Sequence, residues 1–417
     1  MKPKHLLIPY LIIIVVFPAL IAHLAVPLKL NVALCENIMD GIMILTAAAG
    51  MVSLIIRKKS GFKGWIPLLG LAVLVLLPQL YLWKTQNHGF YELRIIYRFA
   101  LLYITLFIIP LEVHMHRKEI CLIIGLFCIF GLVCCIYELV QHPRIWEAMN
   151  IFTGKGSRVE SFFEQKNRFG AYCALLLILC FFAAELSENK MWFIPAAFFG
   201  FFLVCTESRG GLVLTAIFLL GFLLSYRRRL GTKTILMILA DLAIVLCILF
   251  IIPQTRELLM ALMRPESGVT GRDRIWAVAW NYYLESNPLI GHGLGTQIER
   301  VMIEQISSNV NTHNMYLYIL NCGGIALVAF YIFSLVVLFR RGRYRHHYLI
   351  PFLTAYLVYG FFEMAAAPFD YWHLSNMFTI CLFALPAFAG VDPHRHHHRK
   401  HSTVRTVVNA DNQEISN

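Results

Sequence analysis

Charge is what this sequence has least of. Only 14% of its residues are charged, against about 25% in an ordinary soluble domain, while 59% are hydrophobic. That balance excludes a soluble globular enzyme. The familiar nucleotide fingerprints are missing as well: there is no Walker motif and no GxGxxG after a strand. Cysteine is present, with 11 residues, but none is spaced as CxxC. Cys121, Cys128, Cys134, Cys135, Cys173, Cys180, Cys247 and Cys381 all lie inside apolar runs. They read as small hydrophobes packed between helices, and neither a metal site nor a disulfide framework is expected.

What is there is a series of apolar runs of roughly 17–25 residues, the length that crosses about 30 Å of hydrocarbon as a helix. About twelve candidate spans fall near 5–27, 32–56, 64–83, 95–113, 120–140, 169–185, 191–206, 210–226, 234–252, 314–339, 347–364 and 373–390. The expected fold is all-α, a polytopic membrane helical bundle. The first run follows Lys2 and Lys4, is too long for a cleaved signal and lacks a clear small-residue cleavage site, so it reads as a retained helix.

The formal net charge of +12 comes largely from short basic clusters between the runs. Lys2/Lys4, Arg57-Lys58-Lys59, His116-Arg117-Lys118, Arg227-Arg228-Arg229, Arg340-Arg341 with Arg343/Arg345, and the tail "HRHHHRKH" all fall on one side of the predicted bundle. By the positive-inside rule that side is cytoplasmic, with both termini inside; these charges orient the protein, and no nucleic-acid partner is expected. Residues 1–390 form the membrane domain and 391–417 a polar cytoplasmic tail, expected to be disordered. The two long connections, about 141–168 and 253–312, then lie outside, and connections of that length are commonly functional. No DxD-like carboxylate cluster that would hold a divalent metal occurs in them.

Four extracytoplasmic places carry ionisable residues beside apolar runs, where burying charge is costly. In "TESRGG", Thr206 to Gly211, Glu207 and Arg209 join two short runs, a pattern of cavity-lining breaks or of an arginine reaching the interface. In "VTGRDRIWAVAWNYYLESNPLIGHGLG", Val269 to Gly295, apolar Ile275, Trp276, Ala279, Trp280 and Tyr283 recur at helical spacing between Thr270-Gly271 and Asn287-Pro288. This reads as an amphipathic helix lying at the outer leaflet, with Arg272 and Arg274 at its N-terminus. Guanidinium groups beside exposed backbone N–H groups suit a phosphate, either of a substrate or of lipid. In "NTHNMYLYIL", His313 stands where the chain re-enters the membrane, as a general base or as an interface residue. In "SRVESFFEQKNRFG", Arg158, Glu164, Lys166, Asn167 and Arg168 precede a run. These residues, or Arg94 and Arg98 on another span, could hold a second anionic group or simply be solvated.

In this order and on one side, these stretches resemble the O-antigen ligase/polymerase family of membrane glycan transferases. The most specific match is "GRDRIW…NPLIGHGLG" followed by "HNMYLYILNCGGIALV"; "TESRGGLV" is similar to the family's Ser-Arg-Gly segment, and "SRVESFFEQKNRFGAY" to a Phe/Asn-rich start of a span. The motifs cover roughly the second half of the chain. The resemblance implies a GT-C-like bundle and an undecaprenyl-pyrophosphate-linked glycan donor. No cofactor is expected, and arginines without a metal-holding carboxylate cluster suggest that phosphate charge is met by guanidinium alone, with no metal. By the resemblance, Arg209 and Arg272 would engage the donor pyrophosphate and His313 would deprotonate the acceptor hydroxyl. Arg274, Arg158, Arg168, Asn314, Trp276 and Glu207 would line the substrate site. Lys166 replaces a proline common in the family, which weakens the part assigned to Asn167.

Two acceptors stay open: the lipid A core, which would make the chain a ligase, or a second carrier-linked glycan, which would make it a Wzy-type polymerase. The ligase label is the leading one. A protein-directed transferase is less expected, because no large soluble domain follows the last span. A multi-span transporter would share the hydropathy, but should gather ionisable groups at the bilayer midplane in paired halves. The implied location is the bacterial cytoplasmic (inner) membrane, with membrane lipids as neighbours and the active site facing outward.

Overall fold

The computed structural model describes residues 31–56, 65–86, 90–112, 115–145, 159–163, 165–225, 272–294, 301, 304, 312–341, 348–363, 367, 369 and 377–388. The predicted spans at 5–27 and 234–252 lie outside the described residues. Helices account for nearly all of the rest, and among the described residues there is no β-strand.

In chain order the main helices are α1 (Val32–Ile56), α2 (Ile66–Thr85), α3 (Phe90–Tyr103), α4 (Arg117–Gln141), α5 (Lys166–Ser187), α6 (Phe193–Cys205), α7 (Arg209–Ser225), α8 (Arg272–Glu285), α9 (Met315–Arg341), α10 (Leu349–Tyr359) and α11 (Met377–Phe388). A π-helical turn, Ile104–Ile108, carries α3 on to Glu112. Five segments among the described residues are long and apolar enough to cross a membrane: Ile66–Thr85, Leu93–Glu112, Arg117–Gln141, Lys166–Ser187 and Met315–Arg340. The molecule is a multi-pass membrane protein. Outward faces carry large apolar side chains, such as Leu45 at 70% and Ile56 at 72% exposure, which only hydrocarbon satisfies.

At the centre stands α5, buried on nearly every side, with α4, α6 and α7 around it and α10 against α7. Small residues allow these approaches. A side chain at Gly131 would collide with Leu176, and one at Gly211 would meet Leu203 and the carbonyl oxygen of Gly170; where lipid supplies no hydrophobic drive, such close packing holds helices together. A second centre is aromatic: Phe99, Tyr103 and Phe107 of α3 and its extension interlock with Phe330, Phe369 and Phe383.

Neither α6 nor α7 is long enough to span alone. At 1.5 Å per residue, α6 covers about 20 Å and α7 about 25 Å of a roughly 30 Å core. Their joint therefore falls inside the protein, and Thr206, Glu207 and Ser208 in it are all buried. Between α4 and α5, the turn Ser161–Phe163 folds back onto the bundle. The Ser161 N–H donates to the Glu138 carboxylate, its hydroxyl donates to the Cys134 carbonyl, and Phe163 stacks on Phe169.

The helix expected between Arg272 and Glu285 forms with those bounds. It buries Ile275, Ala279 and Tyr283, one residue every turn, and docks on α9. Trp280 does not share that stripe; it is 45% exposed and leans on Tyr283 instead.

Candidate active site

The predicted site begins at the α6–α7 joint. The Ser208 hydroxyl accepts from the Gly211 N–H at 3.3 Å and donates to the Asn167 carbonyl at 3.4 Å, so one serine caps α7 and ties it to the start of α5. Gly170 lets that approach happen, since a side chain there would overlap Ser208 and Thr206. Glu207 sits in the left-handed region at φ +51°. Its buried carboxylate lies 3.5 Å from the Lys166 ammonium, which keeps the charge paired. Arg209, next along, is exposed at the first position of α7.

Gly210 carries the joint against the end of α10. A Cβ there would lie 3.0 Å from the Tyr359 ring and 3.8 Å from the Glu363 side chain. Glu363 in turn faces His313, with 3.9 Å between a carboxylate oxygen and Nδ1. That separation is an ion-pair distance, longer than a hydrogen bond, and such contacts tighten when substrate binds. His313 is itself in the left-handed region, at φ +45°. Arg272 is half-buried at the start of α8, one turn before Trp276, whose indole N–H donates to the Thr312 carbonyl beside His313.

The histidine is held from both sides. The Asn314 side-chain oxygen accepts from the N–H groups of Tyr316 and Leu317 at 2.9 and 3.1 Å, which makes it the cap of α9. Thr312 donates its hydroxyl to the Asn314 carbonyl and accepts the Trp276 indole N–H at 3.1 Å through its own carbonyl. The Met315 N–H donates to the Gly360 carbonyl at 2.7 Å, joining α9 to the end of α10.

Arg209, Arg272, His313 and Glu207 are therefore gathered at one end of the bundle. Asn314 and Trp276 lie beside them, with the Asn314 side-chain oxygen and the Trp276 indole N–H bonded to the backbone. Arg274 is exposed on the first turn of α8, and Arg168 is half-buried on the first turn of α5. Arg158 lies outside the described residues. Arg94 and Arg98 differ from the expectation: both are bound to Asp40 of α1, Arg98 by two contacts at 2.6 and 3.0 Å and Arg94 at 2.9 Å, with the Tyr97 hydroxyl added at 2.7 Å. A carboxylate on the neighbouring helix gives these guanidiniums a structural bond.

Glu363 was missed, and a signal for it existed. It is the lone carboxylate in the run 347–364, and an ionisable residue in a span is a site candidate by the same rule that marks Arg209. Among the described residues no group of three His, Cys, Asp or Glu side chains lies close enough to hold a metal ion.

Residues 194–332 match a family model described as O-antigen ligase. The matched segment runs from α6 into α9 and carries Glu207, Arg209, Arg272 and His313, whereas Lys166 and Glu363 stand on either side of it. The match supports a glycan-transferring function of the ligase or polymerase kind. No curated protein matches the chain.

Proposed function

We propose that this chain, which matches an O-antigen ligase family model over residues 194–332, transfers a glycan from a lipid-linked pyrophosphate to an acceptor hydroxyl on the outer face of the cytoplasmic membrane. The observation that carries this reading is the gathering of the helix starts that bear Arg209 and Arg272 at the His313–Glu363 pair, through Gly210 beside Glu363 and Trp276 on Thr312.

The chemistry divides between the two kinds of group. The acceptor oxygen forms a bond to the anomeric carbon as the bond from that carbon to the pyrophosphate oxygen breaks, and the carrier pyrophosphate leaves with the electron pair. Charge develops on the leaving group, and guanidiniums fixed at helix starts in a site of low dielectric stabilise it. The acceptor proton passes to His313 Nε2. Glu363 faces Nδ1, holds the proton there and stabilises the imidazolium that forms. A base on one side of the anomeric carbon and arginines on the other give inversion in a single step. The lipid A core as acceptor makes the chain a ligase; a second carrier-linked glycan makes it a Wzy-type polymerase.

The deciding experiment is transfer by the purified protein from a lipid-pyrophosphate-linked glycan of the native repeat, with a chelator and with or without core lipopolysaccharide. Wild type is compared with Arg272→Ala and His313→Ala. Product on the core acceptor, sharply reduced but measurable in both variants, supports the ligase, and a ladder of carrier-linked chains without core supports the polymerase. Transport of the labelled donor into liposomes with no product would overturn transfer. Retained anomeric configuration would overturn the one-step scheme.

A further inference from the structure

Ahead of His313 the chain makes a structure that the transfer chemistry does not use. Helix α9 is broken at Gly324, whose φ of 59° and ψ of −159° are open to glycine alone. In an unbroken helix the N–H of Ile325 would donate to Asn321 and that of Ala326 to Cys322. They donate instead to the carbonyls of Pro288 and Leu289, each at 3.0 Å, and the Asn321 carbonyl accepts the His292 N–H at 2.8 Å. The turn "NPLIGH" after α8 is thus sewn into the gap in α9. Gly291, at φ +64°, permits it, because a side chain there would strike the backbone of Leu320, Asn321 and Gly324.

Two buried amides close the seam. Asn321 on α9 donates to the Ala279 carbonyl of α8 at 3.0 Å. Gln79, 2% exposed on α2, grips the turn at both ends. Its Nε2 donates to the Ile290 carbonyl at 3.3 Å, and its Oε1 accepts the Leu294 N–H at 2.7 Å. Gln79 lies in the first half of the chain, far outside the matched 194–332 segment. A buried amide in a span has no reason to be there unless its hydrogen bonds are used.

We propose that Gln79 and Asn321 are positioning residues, which fix α8 across the break in α9 and so set where Arg272 stands relative to His313. This rests on the transfer reading above. The helix is held near its start by Trp276 on Thr312 and past its end by the latch, so its register along α9 has no remaining freedom. Releasing the latch lets α8 shift, and a misplacement of about 1 Å at a distance can cost up to about a hundredfold in rate.

The test uses the full chain with Gln79→Leu and Gln79→Glu, alone and combined with Arg272→Ala. Leucine keeps the volume and loses both bonds. A protonated glutamate can donate to Ile290 and accept from Leu294, whereas an ionised one confronts the Ile290 carbonyl with a second acceptor. The expected results are a ten- to roughly hundredfold fall in kcat for Gln79→Leu, and for Gln79→Glu an activity that recovers as pH falls, against the wild-type profile. In the Arg272→Ala background Gln79→Leu should add no further loss, since it acts through a residue already removed. Amide exchange over 286–294 should accelerate in Gln79→Leu. Wild-type exchange there, or a full multiplicative loss on top of Arg272→Ala, would overturn the positioning role. The exchange readout needs no glycan, so inactive wild-type protein would sink the transfer reading while leaving the latch to be judged separately.

Discussion

Two non-glycine residues of the candidate site, Glu207 and His313, occupy the left-handed region, at a cost of about 1–3 kcal/mol each. Each stands two residues before a helix start, and the capping residue that follows it holds the strained geometry. Ser208 and Asn314 are those caps, each spending its side-chain oxygen on the helix that follows. The pairing of Glu363 with His313 gives the most specific prediction at this scale. Glu363→Gln keeps the size and removes the charge that stabilises an imidazolium, so kcat should fall about ten- to a hundredfold with KM little changed. Steady-state transfer kinetics decide it, and a raised KM at unchanged kcat would make Glu363 a binding residue instead. Asp40 gives the contrasting case of a residue with a structural bond alone. Asp40→Ala leaves the buried Arg98 guanidinium without its two carboxylate contacts, a change typically worth about 3–5 kcal/mol. Thermal unfolding in detergent should show the loss, and the surviving folded protein should retain its KM.

At the level of helices, what was readable without the structure was apolar periodicity and length. The predicted spans that fall on described residues coincide with helices to within a few residues, because a hydrophobic run in lipid has few other options. The α8 helix was readable for the same reason, from Ile275, Ala279 and Tyr283 at helical spacing. Arg209, Arg272 and His313 stood out as charge beside an apolar run. The break in α9 was not readable. The run "NCGGIALV" keeps its hydropathy through Gly323-Gly324, so it reads as one continuous helix from Asn314 to Phe339, and only the partner segment shows that it is open. Gln79 was hidden for a related reason: a neutral amide in an apolar run carries no charge signal, and its contact lies 211 residues away. Gly324→Ala tests the break. The added methyl would press on the Leu289 and Ile290 backbone and sit at a φ that alanine resists, so stability should fall by several kcal/mol. A variant as stable as wild type, with α9 straightened, would mean the turn is not needed to complete the helix.

For the molecule as a whole, everything about the site depends on which way the bundle faces. Under the proposed transfer the donor is displayed outside the cytoplasm, so the end that holds Arg209, Arg272 and His313 should be the outer one. The basic clusters make the same demand independently. Arg57-Lys58-Lys59 and Arg227-Arg228-Arg229 follow the ends of α1 and α7, and Arg340-Arg341 are the last two residues of α9. Arg209 and His313, by contrast, lie at the starts of α7 and α9. If positive clusters stay inside, helix starts at α7 and α9 lie outside, and α8 with them. The prediction is therefore a single labelling pattern. Glu285→Cys, exposed at the end of α8, should react with a membrane-impermeant maleimide in intact cells whose outer barrier has been made porous. A cysteine at Arg343 should react only after the inner membrane is opened. The unsubstituted protein serves as the control for native thiols, of which those at Cys128, Cys134, Cys135, Cys173, Cys180, Cys205, Cys322 and Cys381 are buried. The reverse pattern would put the arginines on the cytoplasmic side, where an externally displayed donor cannot reach them, and the transfer reading would fail with its orientation.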